Sequence, residues 1–362
     1  MKITDVQAHV LTIPLQQGDL ATPWIWGGFA QVLVAVHTDE GVIGYGEAFS
    51  YGIPHATAAV VNQVLKPMLI GADPTQITIL QEQMYRHTHL FGRYGITTFA
   101  ISGVDIALWD IAGKCAGLPL YRLLGGTNAD RVPAYASLVR YPNIEHVRLA
   151  TEDAVAAGYD AVKLHQLDAD SLEAAREAAD DDVRLMMDIN CAWTPQQALE
   201  MTRQFEPYDL FWLEEPVWPP EDFHGLARLG DLSGIAIATG ENVCTVYQFR
   251  QLLDAGAATY IQPSVIKVGG ISEWRKVATL AEAYNVTIMP HSPYFGPGLL
   301  ATAHLVAATP QAEALEYLYV EPEASVFTTP PVVEDGTFPV PQGPGLGLEI
   351  DLEVVQRYRV TS

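Results

Sequence analysis

Seven polar residues recur along the second half of the chain at near-even intervals. Lys163, Asp188, Glu214, Glu241, Ser264, His291 and Glu316 are separated by 25, 26, 27, 23, 27 and 25 residues, and His165 follows Lys163 by two. Each interval is about the length of one strand plus one helix, and each residue closes a short apolar run. Polar side chains at the carboxyl ends of consecutive strands in a (β/α) barrel converge on one face, where such barrels place their chemistry. Asp188, Glu214 and Glu241 would then come from three adjacent strands. Three carboxylates aimed at one point repel one another unless a cation neutralises them. Hard oxygen donors with room for water and substrate favour Mg²⁺ or a similar ion. Among 43 acidic residues, any single one is expected to be an ordinary surface acid; the shared register is what sets these three apart.

The bases follow from the same register. Lys163 and His165 lie two apart on a strand and face one side. Both are costly in a barrel mouth unless an anion or hydrogen bonds compensate. A lysine beside a metal and other cations has its pKa lowered towards a range useful for proton transfer. His291, in Met289-Pro290-His291-Ser292-Pro293, ends a strand across the barrel from His165, so the two imidazoles can flank a substrate on opposite faces. Glu316, if protonated, can hydrogen-bond a substrate carboxylate. The plainer alternatives are a structural histidine at 165 and a salt-bridged acid at 316.

The elements that must position these residues are readable as alternating segments. Candidate strands are Val132–Ala136, Ala161–His165, Leu185–Asn190, Leu210–Pro216, Ile235–Glu241, Tyr260–Val265, Val286–His291 and Ala314–Leu318. Amphipathic segments lie between them, among them Thr194–Phe205, with Thr194 as N-cap and Pro195 at the first helical position, and Thr245–Leu253. Eight strands with intervening helices predict an α/β barrel. A doubly wound open sheet is the alternative, weakened because no glycine-rich turn follows the early strands. Upstream, residues 31–37 and 42–48 read as a hairpin across Asp39-Glu40-Gly41, and 55–124 read as helical, with a helix around 99–111 apolar nearly all round and therefore buried. The predicted division is a small α+β domain over 1–128, the barrel over 129–329, and a Pro- and Gly-rich tail over 330–362. The tail is expected to pack on the first domain, with a short strand near Leu348–Leu352.

Composition bounds the rest. The chain has 362 residues, 49% hydrophobic and 17% charged, with a formal net charge of −23. That is a globular composition, and its acidity repels phosphate backbones, which argues against nucleic-acid binding. A bound cation can still invert the local field for an anionic substrate. Cys115, Cys191 and Cys244 are few, odd in number and widely spaced, so no disulfide framework is expected. The first residues read as a strand rather than a signal peptide, and no apolar run reads as a membrane span. A cytoplasmic location and no membrane partner are expected.

At these residues the chain resembles the enolase superfamily, in particular the mandelate racemase/muconate lactonizing enzyme group. The resemblance is carried by Ala100 to Asp110, Leu123-Leu124-Gly125-Gly126, Val162-Lys163-Leu164-His165, Met187-Asp188-Ile189-Asn190, Trp212-Leu213-Glu214-Glu215-Pro216, Gly240-Glu241, Lys267-Val268-Gly269-Gly270 and Met289-Pro290-His291. Together, in this order, they span nearly the whole chain. The resemblance implies an N-terminal α+β capping domain over a modified (β/α)₇β TIM-like barrel. It implies Mg²⁺ held by Asp188, Glu214 and Glu241, with Glu215 a bystander. The chemistry it implies is proton abstraction next to a carboxylate through an enediolate. By position, Lys163 matches the first lysine of a Lys-x-Lys pair, Glu316 a carboxylate-polarising acid, and Asn190 a contact near the substrate α-oxygen. Trp24, Trp26 and Tyr51 fall in capping segments expected to close on the substrate. A homo-oligomer is implied as well.

Two positions depart from that pattern. His165 stands for the second lysine. Ser264, in Gln262-Pro263-Ser264, stands where an aspartate commonly pairs the histidine. Serine can hydrogen-bond an imidazole but cannot stabilise its protonated form as a carboxylate does. His291 is thereby suited to giving a proton rather than taking one. The leading expectation is dehydration of a hydroxy acid or sugar acid to a 2-keto acid, with His165 or Lys163 as base and His291 as acid. Racemisation or epimerisation of a carboxylate by opposed bases is the second reading, and a non-catalytic metal-binding barrel the third.

Overall fold

A computed structural model describes residues 1–16, 28–126 and 130–360. Trp24, Trp26 and the predicted boundary near 128 fall outside the described residues. The chain opens with three antiparallel strands, β1 (Ile3–Ile13), β2 (Phe29–Thr38) and β3 (Ile43–Ala48), in that order across the sheet. The expected hairpin is the β2–β3 pair. Helices α1 (Pro54–Ala59) and α2 (Lys66–Leu69), joined by a π-helical turn over Val60–Leu65, lead to α3 (Ile77–Thr88), α4 (Ile96–Ala116) and α5 (Leu120–Leu123).

The predicted buried helix is α4, and it lies directly on β3. A Cβ on Gly46 would come within 2.0 Å of the Gly103 carbonyl oxygen, so only glycine permits that approach. At 21 residues α4 also has the length and apolar composition of a membrane span, which the sequence reading missed. Its burial accounts for that composition, and Asp105 and Asp110 within it are both buried.

Eight parallel strands follow, alternating with seven helices. They are β4 (Arg131–Ser137), α6 (Ile144–Ala156), β5 (Ala161–Leu164), α7 (Ala169–Ala178), β6 (Arg184–Asp188), α8 (Pro195–Phe205), β7 (Leu210–Glu214) and α9 (Phe223–Ser233). Then come β8 (Ile237–Thr239), α10 (Thr245–Asp254), β9 (Tyr260–Ile261), α11 (Gly270–Tyr284), β10 (Thr287–Ile288), α12 (Pro297–Ala308) and β11 (Leu315–Leu318). Every predicted strand is present. Thr194 caps α8 through a capping box with Gln197. Strands run in the order β10-β9-β8-β7-β6-β5-β4-β11, and a parallel bridge from Ile288 to Ala312 completes the ring. The closure excludes an open doubly wound sheet, and eight strands with seven helices make the modified (β/α)₇β barrel.

Strand periodicity explains how the barrel carries its polar residues. Tyr135, Ala161, Met186, Trp212, Met289 and Ala314 form one buried cluster inside the ring. Each stands two places before Ser137, Lys163, Asp188, Glu214, His291 and Glu316. A period of two places both sets on the inner face, apolar below and polar at the carboxyl ends.

Two buried acids join the first half to the barrel. The backbone N–H of Gly298, at the start of α12, donates to Glu47 Oε2 at 2.9 Å. That of Ser272, at the start of α11, donates to Asp105 Oδ1 at 2.9 Å. Helix N-termini favour such acceptors. Burial nevertheless pushes both carboxyls up to about 7.

The tail departs from expectation. Residues 348–352 form no strand; only Ile350 bridges, to Phe327. Instead β12 (Thr337–Pro339) runs antiparallel to β4, and α13 (Leu352–Tyr358) begins at Asp351. The Asp351 carboxylate accepts the N–H of Glu353 and of Val354, so capping turns the apolar run 352–355 into a helix. Val360 N–H then donates to the Val10 carbonyl at 2.9 Å, bringing the tail against β1.

Candidate active site

Asp188 closes β6 and Glu214 closes β7, paired in register. Glu241 lies two residues past the end of β8. Gly240, with φ 133°, turns the chain so that the next side chain swings back to the barrel axis. One carboxylate oxygen from each of Asp188, Glu214 and Glu241 lies within 4.8 Å of the others. Burial favours neutral carboxyls, and the charged neighbours decide each outcome. Lys163 and His165 hold Asp188 down to about 2, and His291 and Lys267 hold Glu241 well below its ordinary value. Glu214 is pushed up by burial and by the charges of Asp188 and Glu316, despite Lys163. Three carboxylate donors from adjacent strand ends, which repel one another when ionised, fit a hard divalent cation.

Lys163 is fully buried beneath these acids. Its Nζ lies 2.7 Å from Glu214 Oε1, 2.6 Å from Glu316 Oε1 and 3.5 Å from Asp188 Oδ2. Burial alone would lower its pKa, but Glu214 and Glu316 against it hold the pKa well above the ordinary lysine value. The three charged groups against its Nζ are carboxylates. Glu316 also accepts from Ser137 Oγ at 2.7 Å and from Ser292 N–H at 3.1 Å. Burial would raise it, yet Lys163 and His291 hold it below the ordinary value. Both Glu316 oxygens thus face donors, the arrangement of the salt-bridged alternative.

Two imidazoles stand beside the triad. His165 Nδ1 donates to the Leu138 carbonyl, which can only accept, so Nδ1 carries a proton. Its Nε2 lies 3.2 Å from Asp188 Oδ2. His291 Nε2 lies 2.5 Å from Glu241 Oε2, while its Nδ1 is buried with no hydrogen-bond partner among the described residues. Ser264 gives it none, since its Oγ pairs with the Tyr294 hydroxyl at 3.1 Å. Among the described residues, neither a carboxylate nor a hydroxyl bonds the Nδ1 side of the imidazole.

A cavity of about 560 Å³ opens over this constellation. His165, Asp188, Asn190, Glu241, His291 and Tyr51 line it. Lys163, Glu214, Ser264 and Glu316 are buried below it. Tyr51 donates to the Pro293 carbonyl, tying the segment after β3 to the His291 loop. Asn190 N–H donates to Asp188 Oδ1 at 2.8 Å from a left-handed backbone, φ 47°.

Several lining residues went unmarked in the sequence reading. Arg140 donates from Nε to the His165 carbonyl at 2.6 Å, and Lys267 Nζ lies 3.8 Å from Glu241 Oε1. Glu215, expected to be a bystander, accepts from Thr239 Oγ1 at 2.6 Å, Gly240 N–H at 3.0 Å and Cys191 Sγ at 3.1 Å. Its place directly after Glu214 was the available signal, since strand alternation turns it away from the cavity and into the wall.

Comparison with known proteins agrees with this geometry. Residues 28–125 match the N-terminal domain of the mandelate racemase / muconate lactonizing enzymes, and residues 145–354 match the enolase C-terminal domain-like model. The chain is 35% identical to the 3,6-anhydro-alpha-L-galactonate cycloisomerase of Streptomyces coelicolor, over 92% of each chain. It is 33% identical to the arabinonate dehydratase of Saccharolobus solfataricus, over 91% of each. A racemase structure from Streptomyces coelicolor with bound magnesium superposes with a TM-score of 0.89 at 33% identity, covering 99% of this chain and 100% of that one. The protein belongs to the mandelate racemase/muconate lactonizing enzyme family of the enolase superfamily.

Proposed function

We propose that this chain is a Mg²⁺-dependent enzyme that removes the proton next to a carboxylate and dehydrates a hydroxy acid or sugar acid to a 2-keto acid. The observation that carries the reading is the convergence of Asp188, Glu214 and Glu241 within 4.8 Å, with an imidazole on each side. Those three side chains would hold the ion. When bound, Mg²⁺ supplies a Lewis acid for the substrate carboxylate, lowering the cost of the charge that develops there.

The protein's own residues divide the proton work. Lys163 does not line the cavity, so it serves as the fixed buried cation that balances Glu214 and Glu316. His165, its proton fixed on Nδ1, takes the α-proton at Nε2. The electron pair left on Cα moves into the carboxylate, giving an enediolate. His291 then gives its Nε2 proton to the β-hydroxyl, which departs as water, and the enol tautomerises to the 2-keto acid. The lack of a carboxylate behind His291 Nδ1 favours this giving role.

The same two imidazoles also permit a second reading, in which they exchange protons on opposite faces of Cα and invert the centre. One assay separates the two. Incubation with Mg²⁺ and hydroxy or sugar acids in D₂O yields a 2-keto acid under the first reading. Under the second it yields recovered epimer or enantiomer carrying deuterium at Cα. Loss of Cα exchange in His165→Asn, with exchange retained in His291→Asn, supports the assigned order. Full turnover in either variant contradicts it.

A further inference from the structure

Glu221 and Gln248 line the cavity and also a second groove of about 450 Å³ beyond it, so they mark the end at which the cavity opens outward. The two ends differ in charge. The cationic and imidazole side chains lining the cavity stand by the triad. Arg140 holds the His165 carbonyl, Lys267 lies by Glu241, and the two imidazoles touch Asp188 and Glu241. The outer groove brings Glu221, Asp222 and Asp254 against one imidazole, His224. Asp222 is engaged capping α9, accepting from Gly225 N–H at 3.0 Å, and Asp254 accepts from the Tyr284 hydroxyl and lies 3.8 Å from Arg250. The Glu221 carboxylate makes no hydrogen bond or ion pair among the described residues and is exposed to whatever fills the cavity.

The hydrogen-bonding pattern at that end is equally specific. Gln248 Oε1 already accepts from Cys244 N–H at 2.9 Å, leaving its Nε2 hydrogens to donate. An ionised Glu221 can only accept. One donor beside one acceptor suits a hydroxyl, which does both; a carboxylate can only accept and would face a like charge. Arg93 adjoins the lining residue Tyr94 but does not itself line the cavity. Residues 17–27 cannot reverse the balance, because they contain no lysine, arginine or histidine and carry Asp19 as their only charge.

Resting on the proposed α-proton abstraction, we infer that Glu221 is a specificity-determining residue. With Gln248 it selects sugar acids that carry one carboxylate and a neutral, hydroxyl-bearing far end, and it rejects the corresponding diacids.

The test compares matched six-carbon pairs on the Mg²⁺-loaded enzyme: gluconate with glucarate, galactonate with galactarate, and mannonate with mannarate. Product formation and Cα deuterium exchange are followed, and calorimetric affinity is measured for the same acids. The monoacid of a handled pair is expected to be favoured by about tenfold or more, the order of one partly screened like-charge contact. The preference should shrink as ionic strength rises. Glu221→Gln should bring it within about threefold and remove its salt dependence, and Glu221→Lys should turn it towards the diacid. Equal or better handling of the diacid by the wild type overturns the inference, as does an undiminished preference in Glu221→Gln. If no acid forms product or exchanges at Cα, the reading of the reaction fails instead, and the calorimetric affinities still decide the charge preference.

Discussion

Glu215 accepts the backbone N–H of Gly240 at 3.0 Å, across the gap between the ends of β7 and β8. The contact fixes the turn that brings Glu241 to the other two carboxylates. Cys191 holds the opposite oxygen of Glu215, so one buried side chain ties the segment after Asp188 to the segment before Glu241. Its left-handed backbone, φ 42°, is a strain retained at this spot. Glu215→Gln keeps the shape but exchanges one acceptor for an amide. We expect Mg²⁺ or Mn²⁺ affinity to fall about tenfold to hundredfold, the scale of groups that orient metal ligands. Calorimetric titration with little change in melting temperature would show it; unchanged affinity would return Glu215 to a bystander.

Lys163 is the cation on which the buried acids depend. Lys163→Met leaves Glu316 without its counter-charge and Glu214 without its hydrogen-bond donor in a dry interior, and the metal-free protein should lose about 3–5 kcal/mol of stability. Adding Glu316→Gln should recover part of that loss, since it removes one stranded carboxylate. Urea unfolding of the two variants measures both effects. A loss equal to that of an exposed lysine would contradict the assigned role.

How much of this could be read from the chain differs residue by residue. Asp188 and Glu214 were legible because each ends a buried run in step with Met186 and Trp212, and alternation leaves no choice of face. Glu241 is one residue out of step with Ala238, and only the interval between repeats pointed to it; the correction comes from Gly240. Strands β8 to β10 proved much shorter than their apolar runs, because those runs continue as buried loops that build the site. The surroundings of Lys163 were not legible, since they come from three other strands. Nor was the diversion of Ser264 to Tyr294, which depends on how two loops pack. In the tail, the apolar residues near 350 read equally well as strand or helix, and Asp351 decided for the helix.

The two acids that join the first half to the barrel should leave a signature in pH. Glu47 and Asp105 sit at about 7 in the folded protein, above their values in an unfolded chain. The folded state therefore holds their protons more tightly. Their contribution is fully present below the unfolded carboxyl range, declines as pH rises from about 4 towards 7, and is flat above that. Each accounts for on the order of 4 kcal/mol at most. Thermal unfolding between pH 4.5 and 8 should show a slope that is reduced in Glu47→Gln and reduced further in Glu47→Gln/Asp105→Asn. Identical slopes in all three proteins would rule the effect out.

The most direct measurement is titration of Mg²⁺, with Mn²⁺ as a second probe, into metal-free protein followed by calorimetry. The account predicts one site per chain in the wild type and a loss of about hundredfold or more in affinity for each of Asp188→Asn, Glu214→Gln and Glu241→Gln. A wild type that takes up no ion, or three variants that bind as it does, would contradict it.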